Sequence, residues 1–429
     1  MKHASLFLLY CFSPALLPSQ VICTSEARRC FDEARAIGTA DDAHLWNVQL
    51  YGPLMFVDES SRSLVANQQD CDNDLKAYYG VYIGKLPNGQ FIANTAFDWE
   101  GERWTMIMWP LPKDDFDRQR LMMHELYHRV QDKIIPGCTT LNNDHLDTRE
   151  GRTWLQLEWR ALAKALENDG RNRRTEVEDA LVFRTYRRML FPGSDTTEIS
   201  LEIFEGLAEY TGIKLATRST DDLVQKTIAA LSRIRASFVR SFGYLSGPAY
   251  GVLLDLTGRD WRDSITKDSD LGKFLQESMG IHLPGNTAEE ALKRAVKYQF
   301  AELNASEVRR ESERSRLVED YRARLINGPV MVIEMTDNFS APFNPNTVVP
   351  LGPGRTIFPA TTITADWGIM DVNGGILLDQ KTNRAYVEAP SDINARPITT
   401  KSWRLQLKDG WIIVPDVRKG DFVLKKIVR

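Results

Sequence analysis

Cysteine is scarce in this chain: five residues in 429, with no Cys-x-x-Cys pair. A thiolate zinc cluster or a disulfide-dense scaffold is therefore excluded as the organising principle. Excess basic charge is also lacking. Fifty-four Lys and Arg stand against 58 Asp and Glu, a net charge of −4, so the positive field that holds a phosphate backbone is absent and no nucleic-acid partner is expected. Beyond the N-terminus no apolar run is long enough to cross a bilayer, and the chain has no internal repeat or low-complexity tract. What remains is 43 % hydrophobic and 26 % charged, the composition of folded globular domains. At this length two or three domains are expected.

The N-terminus differs from the rest. Lys2 and His3 precede ASLFLLYCFSPALLP, an apolar run interrupted by Pro14 and Pro18, with small residues near Cys23 and Ser25. A charged start, a short apolar core and a small-residue end read as a secretory signal peptide over 1–25. The chain is then expected to be secreted or periplasmic, with no membrane-spanning segment after signal removal. A lipid anchor on Cys23 is the weaker alternative, because bulky Ile22 precedes it. Cys30, Cys71 and Cys138 remain, an odd number that allows at most one internal bridge.

The patterning is that of an α+β protein. Residues 26–112 are β-rich: LMFVDESSRSLVAN reads as strand, polar turn, strand. VYIGKLPNGQFIANTAF suggests a second turn at Pro87-Asn88-Gly89, and WTMIMW reads as a further strand, at a sheet edge or inside it. From 113 to 326 the period turns helical. DDFDRQRLMMHELYHRVQDKII repeats Met122, Leu126 and Val130 at i, i+4, i+8, starts at Asp114 or Asp115 and stops at Pro136-Gly137. RTWLQLEWRALAKALEN, TEVEDALVFRTYRRML and TEISLEIFEGLAEYTGIKLA continue it, and ASEVRRESERSRLVEDYRARL has the charge of a solvated helix. Residues 327–429 are rich in Val, Ile, Thr, Gly and Pro and read as a small β domain.

The sharpest signal is His124-Glu125-Leu126-Tyr127-His128. On a helix the two imidazoles lie one turn apart on one face, able to share a metal ion, with Glu125 beside them. About 0.006 chance occurrences of this pattern are expected in a chain of this composition. Zn²⁺ fits such a donor set and would lower the pKa of a water for which Glu125 is the base. A third protein ligand is needed. A third His six residues after the second would fall on Ile134, so the metzincin pattern fails. TEISLEIFEGLAEYTG carries Glu198, Glu202, Glu205 and Glu209 along one helical stripe. A solvated face is the plain reading of such a stripe, but like charges at i, i+4 repel and the sequence around them is apolar. Gly206 would let a second helix approach closely. Glu158, in WLQLEWRALAKAL, is the rival ligand: its apolar neighbours suggest burial, and a buried carboxylate needs a partner, which Arg152 or Arg160 would supply as readily as a metal.

HELYH followed by EGLAEY resembles the gluzincins, zinc peptidases whose third ligand is a glutamate on a second helix. The resemblance covers two motifs within residues 124–210. It implies a zincin-like N-terminal β region with an active-site helix, Glu205 as the ligand, and Glu209 as an acid supporting a ligand histidine. The long spacing between the motifs implies a helical insertion. Such enzymes also supply a donor to the tetrahedral oxyanion, which Tyr244 or Tyr250 in SFGYLSGPAYG would provide; ordinary core packing is the competing reading of each. The implied activity is hydrolysis of a peptide or protein substrate by a metal-activated water with Glu125 as general base. The competing expectation is a non-catalytic secreted binding protein with a structural or degenerate metal site, whose C-terminal β domain engages a partner. No oligomeric state follows from the sequence.

Overall fold

The computed structural model describes residues 22–87, 89–233, 235–343 and 347–427. The signal segment expected over 1–25 lies, up to residue 21, outside the described residues; from Thr24 the chain is helical in α1 (Thr24–Asp41). The protein is mixed α and β, with three sheets among the described residues. None of the described helices is long and apolar enough to cross a membrane. Cys23, Cys30, Cys71 and Cys138 are free thiols.

Contacts divide the chain into two compact units. Among the described residues, one comprises those of 22–142, 158–233 and 242–291; the other comprises those of 143–157, 235–241 and 292–427. Boundaries drawn along the sequence at 112 and 326 miss this division. The N-terminal β region shares a unit with the helices up to 291, and 292–326 belong with the C-terminal sheets.

The first unit contains one sheet of β1 (Leu54–Asp58), β2 (Ser63–Ala66), β3 (Lys76–Tyr78), β4 (Val81–Lys85), β5 (Thr95–Trp99) and β6 (Glu102–Trp109), in the order β3-β4-β2-β1-β6-β5. Strand alternation sends Met55, Val57, Leu64, Trp104 and Met106 to one apolar cluster, and Phe56 to the opposite face, where it stacks on Phe31 of α1 at 4.5 Å. One open alternative is decided here and one expectation changes. WTMIMW lies in β6, which pairs in parallel with β1 and antiparallel with β5, so it is interior and β5 is the edge. The turn expected at 87–89 joins no hairpin, because β4 pairs with β2 and β3 while β5 lies at the other side of the sheet.

After β6 comes α2 (Asp115–Ile134). Asp114 caps it, accepting from the Asp117 N–H at 3.0 Å, and it ends before Pro136. There follow α3 (Arg149–Glu167) and α4 (Gly170–Leu190). Next, α5 (Ser194–Leu201) and α6 (Leu207–Ala216) are joined without a break by a wide turn, Glu202–Gly206. Then come α7 (Thr220–Leu231), α8 (Gly243–Asp255) and α9 (Leu271–Ser278). The glycine in EGLAEY has the expected role. A Cβ on Gly206 would stand 2.9 Å from the Gly243 carbonyl oxygen and 2.9 Å from the Gly247 Cα, so α8 packs backbone to backbone on the wide turn.

In the second unit a four-stranded and a seven-stranded sheet share one core that includes Met331, Ile333, Ile363, Met370, Trp403 and Leu405. Asp409-Gly410 carries the chain from one sheet to the other, and Lys419-Gly420 closes the antiparallel hairpin of Trp411–Pro415 with Phe422–Lys426. The charged helix Phe300–Arg322 buries Leu303, Glu307 and Tyr321 and leaves most of its face to solvent.

Two outcomes are expected. Gly206→Ala should lower the melting temperature, since overpacking costs about 1–3 kcal/mol against at most about 1 kcal/mol of helix propensity gained; a rise in melting temperature would refute the backbone contact. The second concerns Glu100, whose carboxylate lies near those of Asp70 and Asp74. Asp70 accepts 3.0 Å bonds from the Asp74 and Leu75 N–H groups. Burial, then Asp70, push the Glu100 pKa up to about 7. A carboxyl whose pKa is raised on folding contributes stability below its unfolded pKa, near 4.5, and loses it as pH rises through 7. Glu100→Gln should therefore flatten the fall in melting temperature between pH 4.5 and 7; an unchanged slope would show that Glu100 does not set it.

Candidate metal centre

The i, i+4 spacing on α2 puts His124 and His128 on one face. Their side chains are only 5 % and 11 % exposed, and their Nε2 atoms stand 3.1 Å apart. The wide turn brings Glu205 to them, with Oε2 at 3.5 Å from His124 Nε2 and 3.3 Å from His128 Nε2. A tetrahedral ion with bonds of 2.0–2.1 Å needs ligand atoms roughly 3.3–3.4 Å apart, so the three donor atoms have the spacing and the chemistry for a zinc-sized cation. The charge agrees. Glu125, Glu205 and Glu209 are buried here and Arg120 pairs with Glu209, so carboxylates outnumber guanidinium groups around the imidazoles. Burial alone would lower the pKa of His124; Glu205 and Glu209 outweigh it and push it up to about 10. The carboxylates thus favour positive charge between them. Conversely, the imidazoles outweigh burial and hold the Glu205 carboxyl well below the usual carboxylate range.

Outer groups fix both imidazoles. Glu209 Oε2 lies 2.9 Å from His124 Nδ1, and its other oxygen accepts from Arg120 at 2.6 Å. A carboxylate only accepts, so His124 carries a proton on Nδ1, and Nε2 is the nitrogen that faces the cluster and would exchange its proton for a metal ion. Gln131 does the same for His128. Its amide nitrogen donates to the carbonyls of Phe204 and Ile203 at 3.0 and 3.4 Å. That leaves its oxygen as the acceptor 2.8 Å from His128 Nδ1, so this Nδ1 is also protonated and this Nε2 also points inward.

Glu125 lies beside the imidazoles, and burial, its leading influence, raises its pKa. Its Oε2 is shielded from solvent and has no hydrogen-bond partner, the arrangement of a carboxylate waiting for a proton donor. Tyr244, half-buried on α8, stacks parallel to the His124 ring at 5.5 Å and donates to Glu205 Oε2 at 2.7 Å. Burial and the Glu205 carboxylate push its pKa far up, so the phenol keeps its proton. Phe204 closes the other side, its ring 5.0 Å from that of His128.

The structure therefore brings together His124, His128, Glu205, Glu209, Glu125 and Tyr244. It does not bring Glu158 or Tyr250, which pair with each other: the Tyr250 hydroxyl donates to Glu158 Oε1 at 2.7 Å. Glu158 is fully buried, as its apolar neighbours suggested, but its cations are Arg184 at 3.2 Å and Arg187, not a metal. Arg152 instead pairs with Glu307 at 2.9 Å. Sequence reasoning missed Gln131 and Arg120. The available signals were a polar residue three positions after the second His, and an arginine four before the first. No protein-family model, curated protein or solved structure matches this chain.

If Glu209 holds His124 in its ligating tautomer, Glu209→Gln should weaken Zn²⁺ affinity about 10–100-fold, read by competition with a chromophoric chelator. Unchanged affinity would remove Glu209 from the site.

Proposed function

We propose that the protein is a secreted or periplasmic zinc-dependent peptidase in which His124, His128 and Glu205 hold the metal and Glu125 moves the proton. The observation that carries this reading is the near-equilateral triangle of two Nε2 atoms and Glu205 Oε2 beside an unpartnered, buried Glu125 oxygen. A structural site has no use for such a base. The packing of α2 against β5 and β6, with β5 at the sheet edge and antiparallel to its neighbour, supports a zincin-like arrangement in which an extended peptide or protein substrate pairs with that edge. The secretory reading rests on residues 1–25.

Zinc bound by these three groups supplies Lewis acidity, which polarises a scissile carbonyl and acidifies water. Glu125 accepts the proton lost by the attacking water and returns it to the departing amine. The Tyr244 hydroxyl, which keeps its proton and borders the cluster, turns from Glu205 to donate to the oxygen that becomes negative. Glu209 and Gln131 keep both imidazoles in the tautomer that faces inward.

The test is elemental analysis of the purified mature protein beside Glu125→Gln and Glu158→Gln, with hydrolysis of an unstructured protein substrate measured in parallel. About one zinc per chain is expected in all three, and hydrolysis should fall at least about 100-fold in Glu125→Gln alone. Absence of stoichiometric metal after purification with added zinc would overturn the reading. Bound zinc with no hydrolysis that depends on Glu125 would instead select a non-catalytic binding protein.

A further inference from the structure

The turn that carries Glu205 is not α-helical. The Leu207 N–H bonds to the Glu202 carbonyl, five residues back, where an α-helix would direct it to Ile203. The Ile203 carbonyl thereby loses its ordinary donor, and a wide turn of this kind inside an α-helix is rare and concentrated at functional sites. Gln131 aims its amide nitrogen at that carbonyl, at 3.4 Å, and at the next one, Phe204, at 3.0 Å. The same side chain accepts from His128 Nδ1. One buried amide therefore supplies the donor the wide turn lacks and orients the second imidazole.

The turn also changes the phase of the helix. With α-helical periodicity Glu198, Glu202, Glu205 and Glu209 share one stripe. In the structure Glu198 and Glu202 bond to Arg187 and Arg184 at 2.8 and 2.9 Å, whereas Glu205 and Glu209 reach the imidazoles. Had Leu207 bonded to Ile203 in the α-helical manner, the helix would be wound tighter before Glu205, and its carboxylate would leave the triangle.

We infer that Gln131 is a positioning residue that holds the Glu202–Gly206 turn open and so sets Glu205 against His124 and His128, coupling the third ligand to the second. The inference rests on the metal-site reading above. It predicts that the donor half of the amide matters, not only the half that accepts from His128.

Gln131→Glu and Gln131→Met separate the two halves. Glutamate still accepts from His128 but donates nothing to Ile203 or Phe204; methionine, neutral and of similar length, does neither. Zn²⁺ affinity is measured by chelator competition, Co²⁺ coordination by visible absorption, and integrity by melting of the metal-free proteins. Both variants are expected to lose at least about tenfold in Zn²⁺ affinity and to change the Co²⁺ bands. In a Glu205→Gln background, Gln131→Met is expected to cost at least about threefold less than in the parent, because the part that acts through Glu205 is gone and only the part through His128 remains. Parental affinity and Co²⁺ bands in Gln131→Glu, or an equal cost of Gln131→Met with and without Glu205, would overturn the inference and leave Gln131 orienting His128 alone. The cycle decides even if Gln131→Glu does not fold. A parent protein that binds neither Zn²⁺ nor Co²⁺ would fail before any substitution, and that result would count against the metal site itself.

Discussion

Four carboxylates on the helical rod of α5, the wide turn and α6 must each find positive charge or hydrogen-bond donors away from water, and the arrangement of the first unit follows from how they do so. A buried carboxylate without a partner costs several kcal/mol. Glu198 and Glu202 are met by the guanidinium groups of Arg187 and Arg184, two residues of α4 on nearly the same face. Arg184 and Arg187 also meet Glu158 from α3. Glu205 and Glu209 face α2, which offers Arg120 and two imidazoles. Two neighbouring helices, α4 and α2, are thus tied to one rod by charge, and α3 is tied to α4. The arginines carry permanent charge, whereas the two imidazoles supply it only by holding a proton or sharing a cation. That asymmetry singles out the second pair of acids chemically.

Close approach makes the charge pairing possible. Gly206 and Gly247 bring α8 onto the wide turn, and that contact delivers the Tyr244 hydroxyl to Glu205. A side chain at either glycine would separate the helices by more than a hydrogen bond tolerates. The same packing sends Tyr250, further along α8, to Glu158 rather than to the imidazoles. Two tyrosines six residues apart on one helix therefore end in different environments, one half-exposed beside the histidines and one sealed among arginines.

Local features were legible in the sequence, and long-range ones only in part. The Asp114 cap, the period of Met122, Leu126 and Val130, and the Pro136 stop define α2 within one segment, so the facing of His124 and His128 follows from helix geometry alone. Gly206 announces close packing for the same reason. The choice between Glu205 and Glu158 was not decided by residue pattern, because apolar neighbours indicate burial without saying which cation is met. RTYRRML held the answer in Arg184 and Arg187, but nothing local links that segment to Glu158. The wide turn left no trace either: a 4, 3, 4 spacing of acids predicts one stripe, and the split into two pairs appears only once Leu207 bonds five residues back. In the sheet, strand identity was readable but order was not. WTMIMW has the same composition whether interior or at an edge, and the parallel pairing of β6 with β1 decides it. The division into units is likewise invisible to a linear reading, since 143–157 and 235–241 are short helical or turn segments that resemble their neighbours.

Why Glu125 and not another acid should serve as the base follows from the donors around each. Glu205 directs one oxygen at His124, His128 and the Tyr244 hydroxyl, so its lone pairs face groups that already compete for them. Glu209 spends one oxygen on Arg120 and the other on His124. Glu125, between the two histidines in sequence, has a buried oxygen that nothing engages. Three carboxylates of identical chemistry therefore differ in availability: one suited to ligation, one to support, one to accept a proton. Sequence position alone does not assign these roles, because EGLAEY and HELYH each offer more than one acid. In the proposed site, the partners supplied by α2, α6 and α8 distinguish them. In the proposed peptidase, that partition lets a single buried site hold a cation tightly while leaving one base unspent.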